Sequence, residues 1–370
     1  MPKPIPYLSL EYQNRLIRDK ALRVMEEVLD ARWYILGEQL QAFEAEYAAY
    51  SGTAYCCGVG NGCDALYIAL KVLGVGPGDE VIVPAHTFIA TWLAVSHTGA
   101  TPVPVEPQAS TGNIDPDKIE AALTSKTKVI LPVHLYGQAC DMEAIMAVAQ
   151  KHGLYVVEDN AQAQGATYKG QLTGSFGHLN ATSFYPTKNL GAFGDAGALT
   201  TNQAELARQV RAFRNYGSEV KYQHDQVGVN SRLDELQAAL LRVKLPYMPQ
   251  WTAERQYLAN LYHTYLQDLP ALTSPITARG ATHVYHIYPV RTRQRDELQH
   301  FLLRRGIGTQ IHYPVPPHLQ KAYATLGFVP GAFPITEEIA ATSLSLPLWP
   351  GLEENQVKYV CACIRDFFNQ

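Results

Sequence analysis

The sequence predicts an α/β protein: a large domain with a mostly parallel sheet sandwiched by helices, followed by a smaller C-terminal α+β domain. Three observations carry that expectation. Strand and helix patterns alternate between about residues 54 and 160, an order that builds parallel sheets with helices on their faces. The long helical run from Leu233 to about Leu269 is interrupted by Pro246 and Pro249, which lack the N–H that a helix interior needs, so this stretch reads as the inter-domain connector. Beyond it, strand, helix, strand and helix patterns follow in the order of a small α+β unit. The expected division is 1–245, an N-terminal arm with the large domain, and 246–370, the small domain. A chain of 370 residues is long enough to give each domain its own core.

Apolar periodicity places helices near 11–30 and 38–50, the second closed by Gly52, ahead of the strand AYCCGVG and the helix DALYIALKVLG. The pattern then repeats as strand EVIVP, helix FIATWLAVSHTG, strand TPVPV, helix DPDKIEAAL, strand KVILPVH, helix DMEAIMAVAQKHG and strand LYVVEDN. Two short strands, NATSFYP and GALTT, bracket a glycine-rich loop containing Lys188, and a helix over about 203–214 and a loop through 230 come next. In the small domain the expected elements are strand VYHIYPVRT, helix RDELQHFLLRRG, strand IGTQIHY and helix ENQVKYVCACIRDFF.

Composition excludes several function classes. With 47% hydrophobic and 17% charged residues and a net charge of −4, the chain lacks the basic excess that nucleic-acid backbones require. No run of about 18 apolar residues occurs, so no membrane partner is expected. The N-terminal MPKPIPYLSL sets prolines where a signal peptide needs an apolar helix, which points to the cytoplasm. Six cysteines are too few for a disulfide scaffold, and they show neither CxxC nor Cys/His metal spacing, so no metal is expected. Cys56 and Cys57, adjacent on a strand, should face opposite sides of the sheet; with Cys361 and Cys363 they read as small buried hydrophobes.

Ligands of open α/β sheets collect beyond the carboxyl ends of the parallel strands, and four such places carry signals here. In GVGNGCDAL, glycines permit close backbone approach and a helix starting near Cys63 offers free N–H groups to an anion such as phosphate, although the stretch also reads as an ordinary strand-to-helix turn. In PAHTFIAT, Phe88 could stack on a planar ligand or simply join the core. In VVEDNAQA, an apolar strand ends in Glu158-Asp159-Asn160, and carboxylates there need partners: a protonated ring nitrogen, an arginine or a helix cap. In SFYPTKNLGAFGDAG, Lys188 is either a solvated loop lysine or an amine whose pKa a dry cleft depresses, making it a Schiff-base nucleophile. A single ligand with a phosphate, a ring with a protonatable nitrogen and an aldehyde would satisfy all four places, and pyridoxal phosphate has these parts.

On these motifs, together with GEQLQAFEAEYAAYSG, NYGSEVKYQHDQVGVNSRLDELQAALL and IHYPVPPHLQ, the chain resembles the sugar-nucleotide aminotransferases of the DegT/DnrJ/EryC1/StrS family over nearly its whole length. That resemblance implies an aspartate-aminotransferase-like fold (fold type I of pyridoxal-phosphate enzymes) with a seven-stranded sheet. It implies pyridoxal 5'-phosphate as cofactor, with pyridoxamine 5'-phosphate as intermediate. By the same resemblance Lys188 forms the Schiff base, Asp159 holds the pyridinium nitrogen, Phe88 stacks on the ring and Gln162 lies at the ring or its hydroxyl. Gly62, Cys63 and Ser183 would hold the phosphate, and Asn230 would reach it from a neighbouring subunit, implying a homodimer with shared sites. The chain departs from the common family pattern at Asn61-Gly62-Cys63, where many members carry Ser or Thr; a thiol is a poor donor, so backbone amides must do more here.

The implied reaction moves an amino group from L-glutamate to C-3 of a dTDP-3-keto-6-deoxyhexose, with amination at C-4 of a dTDP- or UDP-4-keto sugar as the runner-up. Tyr185, Tyr216, His312 and Tyr313 are candidate contacts for the sugar and pyrophosphate, each equally open to a structural role. Two rival classes are a related sugar 3-dehydratase, which carries histidine where this chain has Lys188, and a non-catalytic regulator, which would need a DNA-binding module.

Overall fold

The computed structural model describes residues 4–369; the first three residues of the proline-bearing N-terminal segment and Gln370 lie outside them. Strands β1 (Tyr55–Val59), β2 (Glu80–Pro84), β3 (Thr101–Val105), β4 (Thr127–Ile130) and β5 (Tyr155–Asp159) are followed by a small hairpin, β6 (Thr167–Tyr168) with β7 (Gln171–Leu172), and then by β8 (Leu179–Ser183) and β9 (Gly197–Thr201). Apart from the hairpin, these form one seven-stranded sheet in the order β1-β9-β8-β5-β4-β2-β3. All its neighbours pair in parallel except β9, which runs antiparallel to both β1 and β8. The expected α/β architecture with a mostly parallel seven-stranded sheet is therefore observed.

Alternate side chains of the strands serve two cores, as strand geometry requires. Val81, Val83 and Val157 pack with α3 (Gly62–Val72) and α4 (Ala90–His97) on one face, whereas Ile82, Ile130 and Val156 pack with α5 (Met142–His152) on the other. Cys57 joins the first of these cores, and Cys56 joins a third formed with α1 (Glu11–Ala31), α2 (Glu38–Ser51) and α7 (Glu235–Lys244), so the two thiols do face opposite ways. The helix α6 (Ala204–Phe213) lies near its expected position.

Beyond α7 a separate hydrophobic cluster forms around α8 (Met248–Leu266), which a 3₁₀ turn at Leu245–Tyr247 containing Pro246 separates from α7. The helical run thus breaks where the prolines indicated. This cluster gathers Leu258 and Tyr262 of α8, Tyr288 and Val290 of β10 (Tyr288–Arg291), Leu298 and Leu302 of α9 (Arg295–Arg304), and Val357 and Ile364 of α11 (Glu354–Phe368). Ile5 also belongs to this core and pairs with Ile307, so the N-terminal segment is stitched to the small domain while α1 packs on the large one.

Two local expectations are corrected, and one helix–strand pair was not among the expected elements. DPDKIEAAL forms two 3₁₀ turns, Pro116–Lys118 and Glu120–Ala122, because Asp115 caps the first and the chain turns extended again at Leu123. IGTQIHY makes only isolated bridges, through Ile307 and Gln310, because the chain leaves the sheet to carry His312 and Tyr313 into the inter-domain cleft. The unexpected pair is α10 (Pro334–Thr342) and β11 (Ser343–Leu346), which follows the helix without an intervening loop and pairs antiparallel with β10.

The domains are joined at the N-terminus of α10. Glu106, just past β3, accepts hydrogen bonds from the Ile335 and Thr336 N–H groups at 2.8 and 3.0 Å and from the Thr336 hydroxyl at 2.6 Å. A carboxylate at that position satisfies orphan amides and complements the helix dipole. Glu106→Ala should therefore destabilise the protein by about 1–2 kcal/mol, measured as a lower urea midpoint with an unchanged m-value.

Candidate active site

Register brings the four sequence signals together at one sheet edge. Gly197, the first residue of β9, stands between Val59, the last of β1, and Ser183, the last of β8. Asp159, the last of β5, pairs with Ala181 of the neighbouring parallel strand. The ends of β1, β5 and β8 therefore coincide, and the segment from Ser183 to Gly197 arches over them carrying Lys188.

That arch is held rather than loose. Its N-terminal flank is fixed by Gln164, whose Nε2 donates to the Ser183 carbonyl at 2.8 Å while its Oε1 accepts from the Leu190 N–H at 3.1 Å. Within the arch the Lys188 N–H donates to the Tyr185 carbonyl at 2.8 Å, and the Ala192 N–H donates to Phe184 at 2.7 Å. A Cβ on Gly191 would lie 2.3 Å from the Pro186 carbonyl oxygen, so only glycine lets the chain close there. Lys244 of α7 donates to the Gly191 carbonyl at 2.6 Å, and its ammonium lies 4.5 Å from the centroid of the Phe193 ring. Sequence reasoning had passed over Gln164 and Lys244; Gln164 stands in the same NAQAQ run that supplied Gln162.

Burial pulls the Lys188 ammonium down to about 8, with the Asp159 carboxylate opposing that shift. The amine is thus available for attack on a carbonyl near neutral pH, which an ordinary lysine is not. Asp159 is shifted the other way: burial raises its carboxyl pKa, opposed in turn by the Ala161 N–H, Lys188 and Thr91. The Thr91 hydroxyl donates to Asp159 at 3.0 Å and the Ala161 N–H at 3.1 Å. The raised value shows that these partners do not fully compensate the buried charge, and a cation placed against it would.

Its neighbour Glu158 has a different task. It accepts from His134 Nε2 at 2.7 Å and from the N–H groups of Gly174, Phe176 and Gly177 at 2.7–2.9 Å. Because His134 Nδ1 accepts from the Cys140 N–H at 3.0 Å, the imidazole proton sits on Nε2, facing Glu158. Glu158 therefore folds the 174–177 turn, and Asp159 alone faces the cleft.

The glycine-rich turn after β1 forms an anion cradle. Asn61 caps α3 by accepting from the Asp64 N–H at 2.8 Å, which leaves the N–H groups of Gly62 and Cys63 at the half-buried start of the helix. A Cβ on Gly62 would lie 2.6 Å from Ser183 Cβ and 3.2 Å from its hydroxyl, so the absence of a side chain brings helix start and serine together. Cys63 turns its thiol toward the Ala90 carbonyl, 3.8 Å away, and burial pushes that thiol up to about 11, so Cys63 can serve an anion through its backbone N–H only. Gly62→Ala should cost at least tenfold in affinity for a phosphorylated ligand by forcing this cradle open, measured by fluorescence titration with pyridoxal phosphate.

The remaining candidates divide into two groups. Gln162 is buried; its Oε1 accepts from the Tyr136 N–H at 2.6 Å and its Nε2 donates to the Tyr313 hydroxyl at 3.0 Å. Phe88 packs 5.3 Å from the Tyr313 ring, centroid to centroid, and keeps about half its surface exposed to the cleft (51%). His312 pairs through Nδ1 with the Ser345 hydroxyl at 2.9 Å, and desolvation plus the nearby Lys188 lowers it to about 4. Tyr185, within the arch, is exposed. Tyr216 and Asn230 sit apart from this cluster, on a ribbon closed by the Asn215–Asn230 bridge and by the Tyr216 N–H donating to Val229 at 2.8 Å. Arg232 lies over the Tyr216 ring, and Asn230 is exposed. The residue after Asn230, Ser231, accepts from the Gly60 N–H at 3.0 Å and donates to Asp64 at 2.6 Å, which ties the ribbon to the cradle.

Among the described residues no cluster of His, Cys, Asp and Glu could hold a metal ion, and no helix is long and apolar enough to cross a membrane. A neutralisable lysine facing a buried, undercompensated acid, with an anion cradle at the same sheet edge, belongs to enzymes that condense an amine with a carbonyl on a phosphorylated cofactor. The chain is a member of the DegT/DnrJ/EryC1/StrS aminotransferase family, whose model matches residues 15–365. It is 49% identical over 363 residues to the dTDP-3-amino-3,4,6-trideoxy-alpha-D-glucose transaminase of Streptomyces venezuelae, covering 98% of this chain and 96% of that one. It is 47% identical over 363 residues to the dTDP-3-amino-3,6-dideoxy-alpha-D-galactopyranose transaminase of Aneurinibacillus thermoaerophilus, covering 98% and 99% of the two chains. The crystal structure of S. venezuelae DesV in complex with a ketimine intermediate superposes with a TM-score of 0.98 at 48% identity, over 100% of this chain and 99% of that one.

Proposed function

We propose that the protein transfers an amino group from L-glutamate to C-3 of a dTDP-3-keto-6-deoxyhexose, using pyridoxal phosphate held at the Lys188 site. The observation that carries the reading is the opposition of Lys188, lowered to about 8, and the buried Asp159, whose carboxyl is raised. C-3 is favoured over C-4 because the names of both curated relatives place the amino group at C-3 of a dTDP-linked deoxysugar.

The residues present fit the cofactor. The Gly62 and Cys63 N–H groups and the Ser183 hydroxyl would bind its phosphate at the α3 N-terminus, where the helix dipole favours negative charge. Asp159 would hold a proton on the ring nitrogen, and that proton is the cation its buried carboxylate lacks. Phe88 offers a ring face and Gln162 a polar edge. When bound, pyridoxal phosphate supplies an aldehyde for the amine exchange and a ring that accepts an electron pair. Lys188 Nζ, neutral above about pH 8, then acts as the general base for the α-proton of the amino donor. His312 and Tyr313 present neutral donors and acceptors to sugar hydroxyls, since burial keeps the imidazole unprotonated and the phenol protonated near neutral pH.

Asn230 would complete the phosphate site of a second copy in a homodimer. Its ribbon supports this reading, because Val220, Tyr222 and Val227 on the same excursion are 56%, 84% and 93% exposed, an apolar surface that calls for a cover. Incubation with L-glutamate and either a 3-keto or a 4-keto dTDP-6-deoxyhexose, with the nitrogen-bearing carbon located by NMR, tests the function. Nitrogen at C-3 from the 3-keto substrate alone is the expected product, and efficient amination of the 4-keto sugar would replace the reading with its runner-up. A monomer in equilibrium sedimentation would reject the shared site.

A further inference from the structure

We propose that a second site between the two domains, a half-open pocket separate from the lysine cleft, binds a small monovalent anion of about the size of chloride. The register of the small domain's ribbon places its principal groups. Arg291, the last residue of β10, stands directly opposite Ser343, the first of β11, so both project from the same face of the two-stranded sheet. The neighbouring pair on that face is Pro289 with Ser345, and Ser345 already serves His312. The Ser343 hydroxyl has no such partner: the residue is 1% exposed and its Oγ makes no hydrogen bond to any described residue.

Both Arg291 and Ser343 line a cavity of about 30 Å³ bounded on the other side by the large domain, through Gly112, Tyr136 and Gln138. That space exceeds the roughly 10–15 Å³ that one water requires. No aspartate or glutamate lines it. Burial, with a smaller contribution from Arg291, lowers His86 to about 4, and the Arg291 charge also bears on Tyr136. Two of the polar side chains nearby, Tyr136 and Gln138, are already used. The Tyr136 hydroxyl donates to the His312 carbonyl at 2.5 Å and accepts from His86 Nε2 at 2.7 Å, while Gln138 donates to the Ile276 carbonyl and accepts from the Ala278 N–H. His283, also on the wall, accepts the Tyr285 N–H at Nδ1 and so carries its proton on Nε2.

The cavity is thus lined by the guanidinium-bearing Arg291, by the unpartnered hydroxyls of Ser343 and Ser274 and by His283, with no carboxylate to answer them. A partly desolvated guanidinium without a counter-charge is costly, and a bound anion supplies that charge while accepting the free donors. Because the walls come from both domains, the anion also fastens one domain to the other. The inference does not depend on the transaminase reading.

Crystals of the wild-type protein soaked in sodium bromide test it, since bromide carries the charge of chloride and scatters anomalously, whereas water does not. The expected result is an anomalous peak within hydrogen-bond reach of the Arg291 guanidinium and Ser343 Oγ, absent from Arg291→Met crystals. In solution, exchanging sodium gluconate for sodium chloride at equal ionic strength should raise the wild-type Tm by roughly 2 °C for each tenfold rise in chloride above its Kd, an increment missing from Arg291→Met. Crystals that show bromide on the surface but only ordinary water density in the cavity would overturn the proposal, as would a wild-type Tm indifferent to chloride.

Discussion

Lys188→Ala is expected to lower transamination by roughly a thousandfold or more, because it removes both the nucleophile and the general base. The substitution leaves the cradle at Gly62 and Ser183 intact, so pyridoxal phosphate should still associate without a covalent bond. Steady-state assays and reduction with borohydride separate the two effects: turnover and the reducible linkage should both disappear, while cofactor retention on dialysis is weakened but present. The same site predicts a pH dependence. The lysine is lowered to about 8, so the neutral amine accumulates as pH rises through 8 rather than through the ordinary lysine value. The rate at which cofactor-free protein condenses with pyridoxal phosphate should therefore climb between about pH 7 and 9 and level off beyond. A rate still rising steeply past pH 10 would mean that the Lys188 amine is solvated.

Asp159→Asn is the second large effect, and its sign differs between stability and rate. Because the carboxyl pKa is raised in the folded protein, this group favours the native state when protonated, and that contribution is lost as pH rises through the folded value. At neutral pH the buried carboxylate is thus a net cost to the cofactor-free fold. Asparagine keeps the shape: its one carbonyl oxygen can still accept from the Ala161 N–H, while its amide NH2 takes the place of the oxygen facing Thr91, whose hydroxyl can turn to accept from it and donate to Thr87. The variant should be as stable as the wild type or more so without cofactor, yet lose about 10²- to 10³-fold in kcat, because the ring nitrogen loses its anionic partner. It should also lower the Lys188 pKa further, since Asp159 is the charge holding that pKa up. Calorimetry and single-turnover kinetics on one preparation check both signs.

The lysine arch, Asp159 and the Gly62 turn were legible in the sequence because each puts an unusual residue at the end of a strand or within a few residues beyond it, where a structural role is expensive. Their roles within pairs were not. Glu158 and Asp159 are adjacent acids on one strand end, and only the fold shows that three turn amides and His134 claim the first. Thr91 and Gln164 escaped notice because their partners lie far along the chain, at Asp159 and at Leu190. In the small domain, α10 and β11 were missed because Thr342 is followed directly by Ser343, with no glycine or proline between helix and strand to punctuate the change. The alternation in IGTQIHY pointed to a strand, but its backbone is drawn away by the side-chain contacts of His312 and Tyr313 in the cleft.

The measurement that bears most directly on the Lys188 site is the visible absorption of the purified protein reconstituted with pyridoxal phosphate, followed through both half-reactions. L-glutamate should bleach the band of the lysine-bound cofactor, and a dTDP-3-keto-6-deoxyhexose, added after glutamate is removed, should restore it. A borohydride-reducible, lysine-linked band in Lys188→Ala, or a wild-type band that glutamate leaves untouched, would contradict the assignment of Lys188 as the reacting amine.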